Sequence, residues 1–472
     1  MSPNDDHQPD PLPEGLLLAY YGDDFTGSTD AMEAMTAAGV PTVLFLAPPT
    51  PTALQRFPGV RCVGLAGSSR GRSPEWMRAE LPQAFASLKA LGAPILHYKV
   101  CSTFDSSPSL GSIGCAIEIG LQHMGGHWSP TVVGAPRLRR YQVFGHLFAA
   151  VDGVGYRLDR HPTMSRHPVT PMGESDLRRH LAAQTPRRMG LVDMVQLKSG
   201  DAHAQLTASR QPEADEAGAT SPRAEAPIVF IDVLDEDTLL EAGRLVWRQR
   251  GQGLFSASSS GLCYALTAYW RSEGWLPAHT ALPETQPVSQ IAAVSGSCSP
   301  VSAAQIRWAR AHGFATERLA VAACLQPAHR EAELQRVLAQ AGQALSAGRS
   351  ALVFSAEGPD DPEVLAFDQH AAQAGLSRTE AARCVGACLA EVMKRLLDQH
   401  PLRRIVVAGG DSSGEVASVL GLDALTVLAR LTPGAPLCRA WSTHPQRDGL
   451  EVVLKGGQMG GESFYGQALH GG

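Results

Sequence analysis

Long apolar runs, basic blocks and paired cysteines are what this chain has least of. No stretch of about 20 uninterrupted apolar residues occurs in its 472 residues, so a membrane span is not expected. Lysine and arginine total 40 against 46 aspartate and glutamate, a net charge of -6. With no long basic block, the electrostatic footprint that a nucleic-acid partner needs is missing. The nine cysteines are odd in number, scattered and without a CxxC pair, which argues against a disulfide framework and fits a reducing cytoplasm. Cys384 and Cys388 stand one helical turn apart, but no His or Cys lies at ligand spacing. Two small apolar residues on a buried helix face is the simpler account. The opening MSPNDDHQPDPLPEG has neither the basic start nor the apolar core of a secretory signal. Walker A and GxGxxG signatures are also absent, which weakens P-loop and dinucleotide readings.

What is present is a soluble, globular balance, 44% hydrophobic and 18% charged, in a chain long enough for two or more domains. Residues 1–15 read as a disordered leader. LLLAYYG then reads as a buried strand, STDAMEAMTAAGV as a helix closed by Gly39, and PTVLFLA as a second strand, a parallel βαβ unit. CVGLAG, PILHYKV and TVVGAP continue as strands, with helices at EWMRAELPQAFASLKALG and GSIGCAIEIGLQHMG. The chain reads as irregular from Gln142 to about Pro168. A helix follows near Asp176 to Gln184, and polar 210–226 reads as a surface insertion. IVFIDV and DEDTLLEAGRLVWRQR resume the pattern. LPAHTALPETQPVSQ is the best boundary, and beyond it a second α/β series runs to EVVLKGGQMGGESFYGQAL. The expected fold is α/β with two domains, 16–280 and 288–472, each a mostly parallel sheet flanked by helices.

Three stretches of the second half share one design: VSGSCSP (294–300), VAGGDSSGE (407–415) and KGGQMGGES (455–463). Each leaves a strand for a helix through small residues, so backbone N–H groups can approach an anion. Any one alone is ordinary turn chemistry, with Ser297 or Ser299 as a cap. Three on successive strands of one domain favour a phosphate site, because strand ends of an open sheet gather at one edge.

The first half carries different chemistry. Asp23, Asp24 and Asp30 sit where the first strand meets its helix. One of the three serves as a cap, and two adjacent carboxylates cannot both do so. Lys99 ends another strand and is followed by Ser102, Thr103 and Asp105, a cation with hydroxyls suited to a carboxylate or polyol. Arg137 can fork a carboxylate, whereas Arg139 and Arg140 read as solvated. A two-domain enzyme moving a phosphoryl group from nucleotide to hydroxyl acid follows as the working hypothesis. In such a transfer an Asp accepts the hydroxyl proton, while the nests and Mg²⁺ hold the phosphates.

GDDFTGSTDAMEAM, YKVCSTFDS, APRLRRYQVFGHLF, HPVTPMGESDL, FSASSSGLCYAL, VSGSCSPVSAAQI, VAGGDSSGE and VVLKGGQMGG resemble, in order, the four-carbon acid sugar kinase family. The resemblance covers nearly the whole chain after about residue 15. It implies ATP-dependent phosphorylation of a small sugar acid, such as threonate, erythronate or a 3-oxo-tetronate. It also implies an N-terminal substrate domain and a C-terminal nucleotide domain. Carried over motif by motif, nucleotide contacts fall on Ser295, Ser297, Gly409, Gly410, Asp411, Ser412, Gly456 and Gly457. Substrate contacts fall on Asp23, Asp24 and Lys99, joined on chemical grounds by Ser102, Thr103 and Arg137. The candidate catalytic residues are Asp24, Lys99 and Asp411, with ATP and Mg²⁺ as cofactors and the metal ligands unknown. The family's K-x-D-S-T-L-R-G run departs here to KVCSTFDSS, with Cys101 for its Asp and Asp105 for its Arg. These changes resemble a branch acting on 3-oxo-isoapionate, a branched oxo acid. The expected partners are sugar acid and ATP, with no nucleic acid and no membrane, and a homo-oligomer is compatible with the sequence. The competing readings are a non-catalytic nucleotide-binding regulatory protein of the same fold and an oxidoreductase.

Overall fold

The computed structural model describes residues 12–471, except 152, 167–169, 212–225, 279, 281 and 285; the side chain of Asp411 also lies outside the description. The expected leader falls mostly, and the expected insertion almost wholly, outside the described residues. Two compact units divide the chain. The first comprises residues 1–23, 34–43 and 48–280, the second residues 24–33, 44–47 and 281–472.

In the first unit, strands with apolar residues on both faces lie side by side, which is the pattern of a parallel sheet covered by helices. Leu18–Gly22 pairs in parallel with Cys62–Ala66 on one side and Ile95–Lys99 on the other, and Ile95–Lys99 pairs with Leu254–Ser258. The registers Gly22 with Lys99 and Lys99 with Ser258 bring these strand ends to one edge. Tyr21 stacks on Tyr98 at 5.9 Å, and Phe85 of the helix Pro74–Lys89 meets both rings edge-on.

Two expectations need correction. TVVGAP is not a strand of that sheet. The strand is Ser129–Thr131, which pairs with Ile228–Ile231 in a separate parallel sheet completed by Met189–Val192. Residues 132–134 instead bond to a serine loop: the Val132 N–H donates to Ser258 Oγ at 2.8 Å, and Ser259 Oγ donates to the Val133 carbonyl at 2.7 Å. The stretch read as irregular is an antiparallel sheet of Arg140–Val143, His146–Val151 and Val154–Arg157. Its first hairpin turns through Phe144 and Gly145, both at positive φ, as tight hairpins require. The buried carboxylate of Asp232 accepts both of their N–H groups, the second at 3.0 Å, which holds Phe144 in its left-handed conformation. Burial pushes the Asp232 pKa up to about 6.

In the second unit the strand order is Ala424–Thr432, Ala435–Trp441, Glu451–Lys455, Arg404–Ala408, Ala292–Ser295, Ala351–Phe354 and Ala315–Arg318. The last five run parallel and the first two form an antiparallel hairpin. Leu44 and Phe45, from far upstream, pair antiparallel with Leu425 and Ala424. The helix Phe25–Ala37 begins earlier than the apolar pattern indicated, and residues 25–33 belong to this unit. There the buried Glu33 accepts the Gly434 N–H at 2.9 Å, and burial raises its pKa to about 7. Cys384 and Cys388 lie on the helix Arg378–Gln399, Cys388 buried and Cys384 donating to the Cys324 carbonyl at 3.4 Å. Among the described residues no group of three or more His, Cys, Asp or Glu is disposed to hold a metal, and no helix is long and apolar enough to cross a membrane.

Candidate active site

The division of the chain falls between the two adjacent carboxylates. Asp23 belongs to the first unit. Its backbone N–H donates to the Lys99 carbonyl at 2.9 Å, and its buried carboxylate receives a bidentate fork from Arg70, at 2.9 and 3.2 Å. Fork geometry adds direction to charge, so this pair fixes the strand end on which it sits. Arg70→Met removes that fork from a carboxylate with almost no access to water. Breaking a buried pair costs about 3–5 kcal/mol. Arg70 is 26% exposed, so we expect a smaller loss of about 2 kcal/mol, seen as a lower melting temperature that Arg70→Lys recovers in part.

Lys99 is buried at the neighbouring strand end. Beyond it the chain folds into a polar knot. Thr103 Oγ1 lies 2.6 Å from Asp105 Oδ1 and 3.0 Å from Cys101 Sγ, while Thr170 Oγ1 donates to the other Asp105 oxygen at 3.3 Å. Phe104, between them, is fully buried with φ at +55°, so its ring anchors the turn against Phe230. Ser106 bonds His180 and Gln184 beneath it. Burial and the Asp105 charge push the Cys101 thiol above its ordinary pKa, so it stays protonated. Ser102 is partly buried on the same turn.

The arginines separate differently from the sequence expectation. Arg137 is half-exposed, 3.8 Å from Glu236 and over the ring of Tyr264. Arg140 is the less solvated one. Its Nη1 donates only to the carbonyls of Leu138, Arg139 and Ala150, and its Nε is buried without a partner. Among the described residues no carboxylate pairs with it. Burial lowers its pKa, offset in part by the nearby Cys101. A guanidinium held by carbonyls alone, within electrostatic reach of the 101–105 turn, keeps donors whose fork geometry matches a carboxylate.

Asp24 belongs to the second unit and starts its helix. One carboxylate oxygen accepts the Gly27 N–H at 2.8 Å, the other accepts from Thr26 Oγ1 at 2.9 Å. The first bond is the geometry of an N-cap. A Cβ placed on Gly410 would lie 3.7 Å from Asp24 Oδ2 and 3.8 Å from Thr26 Oγ1, so the capped end adjoins the second glycine turn.

The three glycine turns leave three adjacent parallel strands in line, with Ser295 registered on Ala408 and Ala408 on Lys455. They interlock closely. A Cβ on Gly296 would stand 2.2 Å from Ser412 Oγ, and one on Gly457 would stand 2.5 Å from Ser297 Oγ. Ser299 caps the helix Pro300–Ala311 and donates to the Gly457 carbonyl, while Ser302 bonds Ser297 at 2.9 Å. Gly409, at φ +119°, opens the helix Gly410–Val419 in a conformation that L side chains rarely adopt. Ser295, Ser297 and Ser412 are buried at this edge, with Gly409, Gly410, Gly456 and Gly457 in the turns themselves. Asp411 lies in the first turn of its helix, and its side chain is outside the description. Small residues and helix N-termini gathered in this way make an anion cradle.

One unit thus offers carboxylate, ammonium, guanidinium and hydroxyl groups at a parallel sheet edge. The other offers a phosphate cradle with a carboxylate beside it. These are the kinds of group that a phosphotransferase of small polar acids uses. Residues 18–266 match a sugar-binding N-terminal domain and residues 292–465 a nucleotide-binding C-terminal domain. The chain is 66% identical over 459 residues to a 3-oxo-isoapionate kinase of Paraburkholderia graminis, covering 97% of this chain and 95% of that one. It is 30% identical over 455 residues to a 3-oxo-tetronate kinase of Cupriavidus necator, covering 96% of each. A solved chain from Salmonella typhimurium LT2, provisionally named a tRNA synthase, aligns with a TM-score of 0.74 at 25% identity over 96% of this chain and 98% of its own. A Haemophilus influenzae protein of a domain-of-unknown-function family, TM-score 0.67 at 22% identity over 95% of this chain and 98% of its own, shares the fold. The chain belongs to the four-carbon acid sugar kinase family: it is a sugar acid kinase, a phosphotransferase with an alcohol group as acceptor.

Proposed function

We propose that this kinase transfers the γ-phosphoryl group of ATP to a hydroxyl of 3-oxo-isoapionate, or of an oxo sugar acid of closely similar shape. The observation that carries the substrate is the gap between 66% identity to a kinase named for 3-oxo-isoapionate and 30% to one named for 3-oxo-tetronate. The altered turn at 101–105 supports it, because a neutral thiol and a knotted carboxylate leave Arg140 to meet the acid end of the ligand. In this reading Asp23, Lys99, Ser102 and Thr103 line the acid's site, and Arg137 stays at its margin. Asp24 accepts the hydroxyl proton, and Lys99 offsets negative charge on the substrate. Ser295, Ser297, Gly409 to Ser412, Gly456 and Gly457 hold the nucleotide.

The N–H groups suit the phosphates, and the hydroxyls with few carboxylates fit a metal that arrives with the nucleotide, as Mg²⁺ does when phosphates and waters fill most of its shell. When bound, Mg²⁺ spreads the charge of the transferring phosphoryl group. A sugar-acid enzyme whose nine cysteines are all free thiols suits a reducing, cytoplasmic setting.

The test is ADP release from purified protein with ATP and Mg²⁺, across 3-oxo-isoapionate, 3-oxo-tetronate, threonate and erythronate. We expect kcat/KM to be highest for 3-oxo-isoapionate by about tenfold or more, the discrimination that a few changed contacts supply. Equal turnover of 3-oxo-tetronate overturns the substrate assignment. ATP binding without turnover of any acid favours the regulatory reading. Arg140→Ala should raise the KM for the acid about tenfold or more with little change in kcat, consistent with loss of one charge-assisted contact. An unchanged KM removes Arg140 from the site.

A further inference from the structure

An ammonium ion taken out of water needs a counter-charge, and this sheet shows how a structural cation obtains one. Arg404, wholly buried at the start of its strand, pairs with Glu451 at 2.6 Å. At the far end of Glu451's own strand stands Lys455, equally buried, and its environment is different. Its Nζ donates to Ser302 Oγ at 3.3 Å and to the Gly456 carbonyl at 3.1 Å, and lies 5.6 Å from the Phe464 ring centroid. Among the described residues no carboxylate pairs with it. Ser302, in the first turn of its helix, bonds onward to Ser297 at 2.9 Å, so a hydrogen-bonded line runs from the ammonium to the lip of the phosphate cradle.

A buried cation without an acid destabilises the fold unless something else supplies the negative charge. Its placement under the junction of three glycine turns points to what that is. We propose that Lys455 is the positioning residue of the nucleotide site, its charge balanced by the phosphates of ADP or ATP and its contact relayed through Ser302 and Ser297. The proposal rests on the kinase reading above. Burial alone pushes the Lys455 pKa down to about 8, so in the free protein the ammonium is partly discharged in mildly alkaline solution.

The sign of the linkage follows. Phosphate oxygens nearby favour the charged form, so binding raises this pKa. Below about pH 8 the group is already protonated and affinity is greatest; above it, binding must take up a proton, and affinity falls as pH rises toward the pKa of the complex. Among the described residues, the groups set against Lys455 are Ser302 of the helix Pro300–Ala311, Phe464 of the helix Phe464–His470, Ala408 of the neighbouring strand and the Gly456 carbonyl. None of them titrates in this range.

The experiment is calorimetric titration of the full-length protein with ADP at pH 7.5, 8.5 and 9.5, using parent, Lys455→Arg and Lys455→Met, each with its melting curve. A Cys298→Ser background removes the exposed thiol of the neighbouring glycine turn. We expect the parent's Kd to rise by about tenfold or more between pH 7.5 and 9.5, the limiting slope for one proton being tenfold per pH unit. Lys455→Arg should bind with little pH dependence, and Lys455→Met about tenfold more weakly at pH 7.5 and equally flat. A parent Kd that is constant over this window overturns the proposal. So does a Lys455→Met protein that melts normally and binds ADP like the parent. Should Lys455→Met fail to fold, the contrast between parent and Lys455→Arg still decides. No ADP binding by the parent at any of these pH values instead ends the kinase reading, and this proposal with it.

Discussion

Asp24→Asn is expected to lower kcat by about 100-fold or more, the usual contribution of a positioned proton acceptor, while shifting stability by only a few tenths of a kcal/mol. The separation of the two effects comes from the geometry. The cap bond runs from the Gly27 N–H to one side-chain oxygen, and asparagine retains an oxygen there. Asn and Asp serve equally well as N-caps, so the helix Phe25–Ala37 keeps its start. What asparagine lacks is the charge and the basicity that a hydroxyl proton needs. Asp24→Ala is the companion variant: it loses the base and also about 1 kcal/mol of cap stabilisation. Kinetics and a melting curve on the two proteins resolve the roles. Normal turnover in Asp24→Asn would leave Asp24 as a cap alone.

Gly296→Ala should weaken ADP binding by about 30-fold, close to 2 kcal/mol, without changing the KM for the sugar acid. Its Cβ would stand 2.2 Å from Ser412 Oγ, closer than real Cβ atoms come, and a tight 3.3 Å from Leu389 Cδ1. The buried Ser412 hydroxyl must therefore leave the cradle it helps to line. Adding Ser412→Ala restores the space and removes the hydroxyl, so the double variant should bind ADP better than Gly296→Ala alone. That recovery measures the coupling between the two turns, which contacting residues show and distant ones do not. A single variant that binds ADP as the parent does contradicts the close packing of the turns.

The sequence made the parallel strands and the three small-residue turns legible for the same reason. Strands buried on both faces are continuous apolar runs, and turns that receive phosphate are continuous small-residue runs. Local composition carries both signals. The hairpins of residues 140–157 and 424–441 were harder to read, since their turns depend on distant groups. Phe144 is held at positive φ by Asp232, and nothing in the local sequence announces that contact. The same limit governs the charged residues. Arg137 and Arg140 look alike in APRLRRYQVFGH, and only strand pairing encloses Arg140 among carbonyls while leaving Arg137 beside Glu236. Asp23 and Asp24 are neighbours whose partners differ, Arg70 for one and its own helix for the other. Lys455 showed itself in the sequence only as a lysine in front of two glycines.

Residues 24–33 and 44–47 belong with the second unit although more than two hundred residues separate them from its main segment. A gene fragment cut at residue 281 would therefore be an incomplete protein. It would lack Glu33, which takes the Gly434 N–H, and the strand residues that cover Ala424 and Leu425. It would also lack Asp24 and Thr26, which flank the Gly410 and Gly456 turns. Anyone wishing to study nucleotide binding apart from the sugar-acid half would do better to graft residues 24–47 onto the fragment than to trust the linear boundary.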